Sequence, residues 1–168
     1  LKARMPYQTN KDLRNSINAG MISYHDVPLG QMPVWVKNNF LKHIDVAIIE
    51  AAAIDENGNI IPTTSVGTSN IYAEYADKII IEVNTYVPRC IEGIHDVYSP
   101  ERPPHTQPIP ITKVSDRIGT PYIKCNPAKV VAVVESNIPD NGRTVSPVDD
   151  EFRSMANNLI GFLHSEVE

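Results

Sequence analysis

The chain has 168 residues, of which 42% are hydrophobic and 21% charged, and its formal net charge at pH 7 is -5. This is the length of one ordinary domain that can build a hydrophobic core. The acidic balance, with no basic stripe, argues against a nucleic-acid-binding protein. No apolar run in the sequence approaches the roughly 20 residues that a membrane-spanning helix needs. We therefore expect neither a nucleic acid nor a membrane among its partners.

Two features of the sequence bear on its location and extent. The stretch "LKARMPYQTNKDL" lacks the charged-then-apolar pattern of a secretory signal. Cys90 and Cys125 show no C-x-x-C spacing, which suits a reducing compartment and predicts two small buried side chains. We expect a cytoplasmic protein, or one of the mitochondrial matrix if the source is eukaryotic. The start without methionine and the end at "FLHSEVE" predict a trimmed chain or a segment of a longer enzyme.

Helix and strand signals alternate along the first half. "NKDLRNSINAG" predicts a short helix between Asn10 and Gly20. "MISYHDV" predicts a strand, and "PVWVKNNFLKH" a second helix. "IDVAIIEAA" is apolar without alternation, which is typical of a strand covered on both faces. "DENGN", centred on Asn57 and Gly58, predicts a turn before a strand at "IIPT".

The second half continues the alternation. "SNIYAEYADK" predicts a helix, while "KIIIEVN" and "KVVAVVES" predict two more buried strands. A last helix is predicted to begin at Pro147, with acidic residues in its first turn. Its apolar stripe contains Phe152, Met155, Leu159 and Phe162. Strands that alternate with helices predict an α/β fold with a mostly parallel sheet flanked by helices.

The segment 88–147 departs from this pattern, and we call it the excursion. It contains ten of the fourteen prolines, including those of "SPERPPHTQPIPI". Proline is excluded from central strands and from helix interiors. We therefore expect the excursion to run over the surface of a single α/β unit that spans residues 1–168, and to form part of an interface.

The loop "IPTTSVGTSN", Ile61 to Asn70, is the first candidate for a binding site. It has one glycine and no lysine, so it is neither a Walker A loop nor a Rossmann turn. Loops beyond the strands of open α/β sheets commonly hold ligands. Its backbone N–H groups and hydroxyls suit a carbonyl or a carboxylate. The alternative, from residue types alone, is a loop that caps the following helix.

The stretch "EVNTYVPRCIEGIHDVY" is the second candidate. Asn84 ends a predicted strand, and His95 beside Asp96 suggests a general base or half of a metal site. No H-x-x-x-H or H-E-x-x-H pair supports the metal, and no G-x-S-x-G motif supports a serine triad. The alternative is a turn held by its own side-chain hydrogen bonds.

The stretch "VSDRIGTPYIKCNPAKVVAVVES" is the third candidate. Asp116 and Arg117 precede Gly119 in a predicted tight turn. Such a pair commonly forms a salt bridge, worth under about 1 kcal/mol if exposed. The guanidinium can instead pair with a carboxylate or a phosphate of a ligand. The residue types leave both interpretations open.

Four stretches together resemble a known family: "HIDVAIIEAAAIDENGNIIPTTSVGTSN", "ADKIIIEVNTYVPRCIEGIHDVYSP", "PIPITKVSDRIGTPYIKCNPAKVVAVVESNIPD" and "FLHSEV". They are similar to the acetyl-CoA hydrolase/transferase family, and within it most to the succinate (acetate) CoA-transferases of the glutamate-type class. Family members are much longer and have two α/β domains. The chain resembles the later part of the first, N-terminal domain. The resemblance therefore implies an incomplete domain of the NagB/RpiA/CoA-transferase type.

The resemblance implies transfer of CoA between acetyl-CoA or succinyl-CoA and a small carboxylate such as acetate or succinate. A glutamate attacks the thioester, which gives an acyl anhydride and then a glutamyl-CoA thioester. CoA is the co-substrate, and no metal or tightly bound cofactor is needed. In the family the nucleophilic glutamate lies in the second half of the protein. Glu50, Glu82, Glu92 and Glu135 do not stand in its sequence context, so the resemblance implies no catalytic residue here and an inactive isolated chain.

The resemblance also implies a substrate site shared with a missing second domain or chain, within a homo-oligomer. Arg117 and Arg143 are candidates for contacts to CoA. Two alternatives stay open: a thioester hydrolase, in which water resolves the intermediate, and a non-catalytic interaction module that retains the fold. The residues implied in substrate binding are Ser65, Val66, Gly67, Asn84, Glu92, Gly93, His95 and Asp96.

Overall fold

We analysed a computed structural model, which describes residues 4–5, 11–140 and 145–167. Its α-helices within these residues are α1 (Lys11–Asn18), α2 (Met32–Lys37), α3 (Ser69–Tyr75) and α4 (Asp150–Glu166). Its strands there are β1 (Arg4–Met5), β2 (Ser23–Tyr24), β3 (Val46–Ala51), β4 (Ala53–Ile54), β5 (Ile60–Ile61), β6 (Lys78–Asn84) and β7 (Val130–Ser136).

The main sheet consists of β3, β6 and β7, in that order, and all neighbouring pairs are parallel. Ile48 pairs with Ile80, and Ile80 with Ala132. Two short pairs accompany this sheet: β1 with β2, parallel, and β4 with β5, antiparallel. The prediction of an α/β fold with a mostly parallel sheet is confirmed.

One face of the main sheet is covered by α3. Ala47 and Ile49 of β3 and Ile79 and Ile81 of β6 are buried there, in one cluster with Ala73 of α3. The run of apolar residues in each strand supplies this face at every second position, because successive strand side chains point to opposite sides. The core of the molecule lies between this face and the helix.

The opposite face, which we call the open face, is exposed, so the prediction that β3 is covered on both faces is wrong. Burial alternates along β3, and Ile48 is 71% exposed. Within the described residues, every position from Val131 to Glu135 of β7 is exposed as well. The sequence carries apolar residues for two covered faces, whereas helices pack on one.

Several boundaries of the helices and strands differ from the predicted ones, and α3 ends at Tyr75, before the end of its predicted segment "SNIYAEYADK". α4 begins at Asp150 rather than at Pro147, because the Asp149 carboxylate accepts the Phe152 N–H at 2.9 Å and caps the helix. α2 ends at Lys37, and the backbone of Asn39 then turns into the left-handed region at φ 59°. The predicted strand at "MISYHDV" is reduced to the two residues of β2.

The predicted turn at Asn57 and Gly58 is confirmed. Gly58 has φ +81°, a value that favours glycine. The Asp55 carboxylate accepts the N–H groups of Asn57 and Asn59, both at 2.8 Å. The turn thereby joins β4 to β5 as a hairpin.

All residues of α4 are exposed, including Phe152 and Phe162 of the apolar stripe that the sequence predicted. In the described part of the chain, no helix has the length and apolar character required to cross a membrane. Cys90 is exposed and Cys125 is half-buried, so the prediction that both are buried is wrong.

Candidate functional site

Polar side chains gather where the parallel strands end, at a place that we call the carboxyl edge: the ends of β3, β6 and β7. Asn84 is the last residue of β6, and Nδ2 of its side chain donates to Oε1 of Glu50 on β3 at 2.8 Å. The same nitrogen donates to the carbonyl oxygen of Ile138, beyond β7, at 2.8 Å. One amide therefore ties together the ends of all three strands. Open α/β sheets place ligands at this edge.

Asn84 is 3% exposed and is satisfied on both sides of its amide. Its Oδ1 accepts the N–H groups of Tyr86 and Ile138, each at 3.1 Å. Buried amides are costly without partners, so this pattern fixes the path of the chain after β6 and after β7. In this structure Asn84 acts as a support of the carboxyl edge.

The candidate loop after β5 lies beside the same edge. Thr63 donates to Oε2 of Glu50 at 3.3 Å, and Thr64 donates to Oδ2 of Asp140 at 2.7 Å. Ser65 and Gly67 are exposed. Thr68 is the N-cap of α3 but its side chain makes no capping bond. The two threonines therefore attach the start of the loop to Glu50 and Asp140, whereas Ser65 and Gly67 are accessible to solvent.

The half-buried Val66 packs against the core, and Gly67 has φ +54°. A left-handed backbone of this kind favours glycine. The three predicted residues of this loop thus lie together, directly after the two threonines that attach it to the carboxyl edge.

Glu92 and Gly93 line a different opening, a cleft of about 590 Å³ between the excursion and the β4–β5 hairpin. Arg89 and Tyr122 line the same cleft. Among the described residues, no hydrogen bond joins residues 65–67 to residues 92–96. Ser65, Val66 and Gly67 therefore lie in the loop after β5, whereas Glu92 and Gly93 lie in the wall of this cleft.

His95 and Asp96 belong to a contact between two parts of the excursion, residues 95–97 and 117–120, which we call the clamp. Val97 and Thr120 exchange both backbone hydrogen bonds, at 2.7 and 3.0 Å. The Asp96 carboxylate accepts the N–H groups of Ile118 at 3.1 Å and Gly119 at 2.7 Å. Asp96 thus holds a remote loop, beyond the local turn that the sequence suggested.

Arg117 lies in the clamp as well. Its guanidinium donates to the carbonyl oxygen of His95 at 2.9 Å, and the side chain is exposed. Asp116 does not pair with it within the described residues: its carboxylate accepts the N–H groups of Thr112 and Lys113 at 2.8 and 2.9 Å. These hydrogen bonds hold the pKa of Asp116 below its usual value. The salt bridge between Asp116 and Arg117, one of the two interpretations that the sequence left open, is therefore not formed.

Position 119 of the clamp has no room for a side chain, so only glycine fits there. A Cβ at this position would lie 2.1 Å from the carbonyl oxygen of Val97. The two segments can approach this closely only because position 119 has no side chain.

A second cleft, of about 680 Å³, lies between α3 and the excursion. Asn70 of α3 donates across it to Ser99 at 2.9 Å, and Gly119 of the clamp forms part of its wall. Cys125 also lines this cleft, and partial burial raises the pKa of its thiol. The cleft was not predicted, because its walls come from segments far apart in sequence.

Arg143, the other predicted CoA contact, lies outside the described residues. Glu50 and Thr63 were not assigned to the site. Glu50 is the last but one residue of β3 and Asn84 is the last residue of β6, so their approach follows from two parallel strands that end together.

Outside the carboxyl edge, the side chains of His43, Asp45 and Asp77 bring their donor atoms within 4.8 Å of one another. They precede β3 and β6, at the opposite end of the sheet. His43 and Asp77 form an ion pair of 2.7 Å on the surface. Both partners are more than half exposed, an environment in which such pairs are common without a metal.

Comparisons with known proteins agree with this fold. Residues 2–135 match the acetyl-CoA hydrolase/transferase N-terminal domain family. The chain is 42% identical over 168 residues to a succinyl-CoA:acetate CoA-transferase of Clostridium kluyveri, covering 100% of this chain and 31% of the relative. It is 42% identical over 173 residues to an acetyl-CoA hydrolase of Schizosaccharomyces pombe, covering 99% of this chain and 33% of that protein.

Among solved structures, RipA from Yersinia pestis has a similar fold, with a TM-score of 0.58 at 18% identity, over 96% of this chain and 32% of that one. The chain thus spans about a third of the length of the relatives that it matches. Its family is defined by the match over most of its length, and the fold agrees: this chain belongs to the acetyl-CoA hydrolase/transferase family.

Proposed function

We propose that this chain forms one wall of the acyl-CoA site in a CoA-transferase that moves CoA between acetyl-CoA or succinyl-CoA and a small carboxylate. The observation that carries the proposal is the 42% identity, along the whole chain, to a succinyl-CoA:acetate CoA-transferase. The carboxyl edge supports the proposal, because an exposed loop, with backbone N–H groups that are free within the described residues, follows Thr63 there. Thr63 is bonded to Glu50, and Glu50 is bonded to Asn84.

The proposed reaction balances without a metal or a redox cofactor. A glutamate carboxylate attacks the thioester carbon, the C–S bond breaks, and an acyl-glutamyl anhydride and the CoA thiolate form. The thiolate then attacks the glutamyl carbonyl, which releases the first carboxylate and leaves a glutamyl-CoA thioester. The second carboxylate takes the CoA by the reverse steps. CoA is the co-substrate.

In this proposal the loop of Ser65, Val66 and Gly67 faces the acyl carboxylate. Its exposed backbone and the Ser65 hydroxyl supply donors to the negative oxygen that develops during each attack. Asn84 contributes by fixing the carboxyl edge, since its own amide groups are bonded within the chain. The loop is then the part of this edge that reaches the substrate.

The excursion contributes the second part of the proposed site. Glu92 and Gly93 border the cleft of about 590 Å³ on the side opposite the β4–β5 hairpin, and His95 and Asp96 hold the clamp from which Arg117 extends. Arg117 and Arg143 are proposed to contact CoA, whose phosphates and their negative charge suit a guanidinium.

The nucleophilic glutamate is proposed to lie outside this chain, in a second domain or chain that completes the site, so that the isolated chain is inactive. The carboxylate of Glu50 is held by Thr63 and Asn84 on the chain's own edge. Glu92 lies in the cleft of the excursion. The proposed assembly is a homo-oligomer.

A second candidate function is hydrolysis of acetyl-CoA. It is favoured by the 42% identity to the acetyl-CoA hydrolase of Schizosaccharomyces pombe, which equals that to the transferase. The two reactions differ in the last step, where water or a carboxylate attacks the glutamyl-CoA thioester. The residues that make that choice control access of water to the thioester.

The test uses a hybrid enzyme, in which this chain replaces the matching third of the Clostridium kluyveri relative. The hybrid is incubated with acetyl-CoA, quenched, and its peptides are weighed. We expect a CoA adduct on a glutamate outside the grafted chain, discharged faster by succinate than by water. Discharge by water alone would favour the hydrolase, and an adduct on Glu50 or Glu92 would contradict the placement of the nucleophile.

A further inference from the structure

We infer that Asp96 is a positioning residue for Arg117: its carboxylate holds the 117–119 segment so that the guanidinium is fixed for an anionic group of the substrate, a carboxylate or a phosphate. The inference rests on the proposed function, since it gives Arg117 an anionic ligand. It adds the residue that prepares this contact, and it assigns to Asp96 a part other than touching substrate.

The hydrogen bonds of the clamp hold Arg117 from both sides. Asp96 accepts the N–H groups of the two residues that follow Arg117, at 3.1 and 2.7 Å. The guanidinium of Arg117 donates at 2.9 Å to the carbonyl oxygen of His95, the residue before Asp96. Residues 95 and 96 therefore bind both the guanidinium of Arg117 and the backbone that directly follows it.

The two segments of the clamp, residues 95–97 and 117–120, are closely packed against each other. Val97 and Thr120 are paired through both backbone groups, and a Cβ on Gly119 would lie 2.1 Å from the carbonyl oxygen of Val97. Each of the two Asp96 oxygens is engaged by a separate N–H group. Such charge-assisted bonds are stronger than neutral ones, so they are suited to holding a loop in one conformation.

A fixed arginine binds anions better than a free one. A free arginine side chain loses about 2 kcal/mol of rotamer entropy when it is immobilised. The hydrogen bond to His95 occupies one N–H group, and a guanidinium has five. Arg117 is exposed, and within the described residues the bond to His95 is the one hydrogen bond of its guanidinium. The arrangement lowers the entropic cost of binding a carboxylate or a phosphate.

The experiment follows the Nε–H signal of Arg117 by NMR in the ¹⁵N-labelled chain, with CoA and acetate as separate probes. We expect Arg117 to be more ordered than Arg153, an exposed residue of α4, and to shift when one of the probes is added. In Asp96→Asn the order should fall to that of Arg153, and the affinity should fall about tenfold, the loss expected for a charge-assisted hydrogen bond.

Asp116→Asn is the matched control, because its carboxylate also accepts two backbone N–H groups in the excursion but none from the clamp. It should leave the order of Arg117 and the affinity unchanged. Equal losses in both variants would overturn the inference, because the effect would then be a general loosening. If Asp96→Asn does not fold, equal mobility of Arg117 and Arg153 in the unchanged chain overturns it by itself.

The backbone signals separate this inference from the proposed function. If CoA or acetate shifts signals elsewhere in the chain and leaves Arg117 unmoved, the inference fails and the proposed function stands. If neither probe shifts any signal, the proposed contribution of this chain to the substrate site fails. If Arg117 moves with the probe and Asp96→Asn abolishes its order, both are supported.

Discussion

Nδ2 of Asn84 lies 2.8 Å from Oε1 of Glu50, and this contact joins the ends of two parallel strands. Asn84 is almost fully buried, whereas Glu50 is exposed on the open face. The buried amide therefore fixes the position of a carboxylate that solvent can reach. The loop with Ser65 and Gly67 begins at the same carboxylate, through Thr63.

We expect Asn84→Ala to lower the free energy of unfolding by about 2–4 kcal/mol, because it removes a buried amide that bonds Glu50, the carbonyl oxygen of Ile138 and two backbone N–H groups. Urea unfolding measures this change. The control is Asn137→Ala, an exposed side chain with a hydrogen bond to Thr85, for which we expect less than about 1 kcal/mol. Equal effects of the two substitutions would show that Asn84 does not hold the carboxyl edge.

Gly119→Ala should destabilise the chain by about 1–3 kcal/mol, the cost of overpacking, because its Cβ would meet the carbonyl oxygen of Val97. Thermal unfolding should show a lower midpoint. Gly161→Ala serves as the comparison: nothing lies within 4 Å of its Cβ position in α4, and alanine there should stabilise the helix by up to about 1 kcal/mol. A neutral Gly119→Ala would mean that the clamp is looser than described.

The sequence predicted the strands of the main sheet better than their burial. The runs at β3, β6 and β7 are apolar and β-branched, which specifies extended structure locally. Which face is covered depends on helices elsewhere in the chain, and a continuous apolar run does not report it. The alternating burial of β3, with Ile48 exposed, therefore appears only in the structure.

The sequence also indicated some features of the candidate site and not others. The sequence predicted that Asn84 ends a strand and that the loop at Ser65 follows one, because apolar runs precede both, and the structure agrees on these positions. The sequence did not predict the partners of Asp96. The N–H groups that its carboxylate accepts belong to Ile118 and Gly119, which are 22 and 23 residues away. Contacts between two irregular segments leave no periodic signal in the sequence. The start of α4 was misplaced because Pro147 and Asp149 are both good signals for a helix start, and the capping carboxylate decides it.

The open face predicts association of the isolated chain. Ile48 of β3 is 71% exposed and Val134 of β7 is 51% exposed, and these are the two outer strands of the main sheet. We expect light scattering to show species larger than the monomer, and the Ile48→Lys, Val134→Lys double variant to reduce them. Val114→Lys, at a position 109% exposed in the excursion, is the control and should change nothing. A wild-type chain that stays monomeric at high concentration would contradict this prediction.

His43 should titrate above its ordinary value, because the hydrogen bond and the charge of Asp77 raise its pKa, with a smaller contribution from Asp45. A histidine whose pKa is higher in the folded state stabilises that state fully below its unfolded pKa. This contribution is lost as the pH rises through the folded pKa. An NMR titration of the His43 ring between about pH 5 and pH 9 measures it. Asp77→Asn should lower the pKa more than Asp45→Asn does, and the reverse order would contradict the ion pair.

We propose that this chain is part of a CoA-transferase site and lacks the nucleophile. The decisive experiment measures exchange of labelled acetate into acetyl-CoA, in the isolated chain and in the hybrid with the Clostridium kluyveri enzyme, with the mass of each verified in the same sample. We predict exchange by the hybrid and none by the chain alone. Exchange by the chain alone, or a folded hybrid without exchange, would contradict the claim.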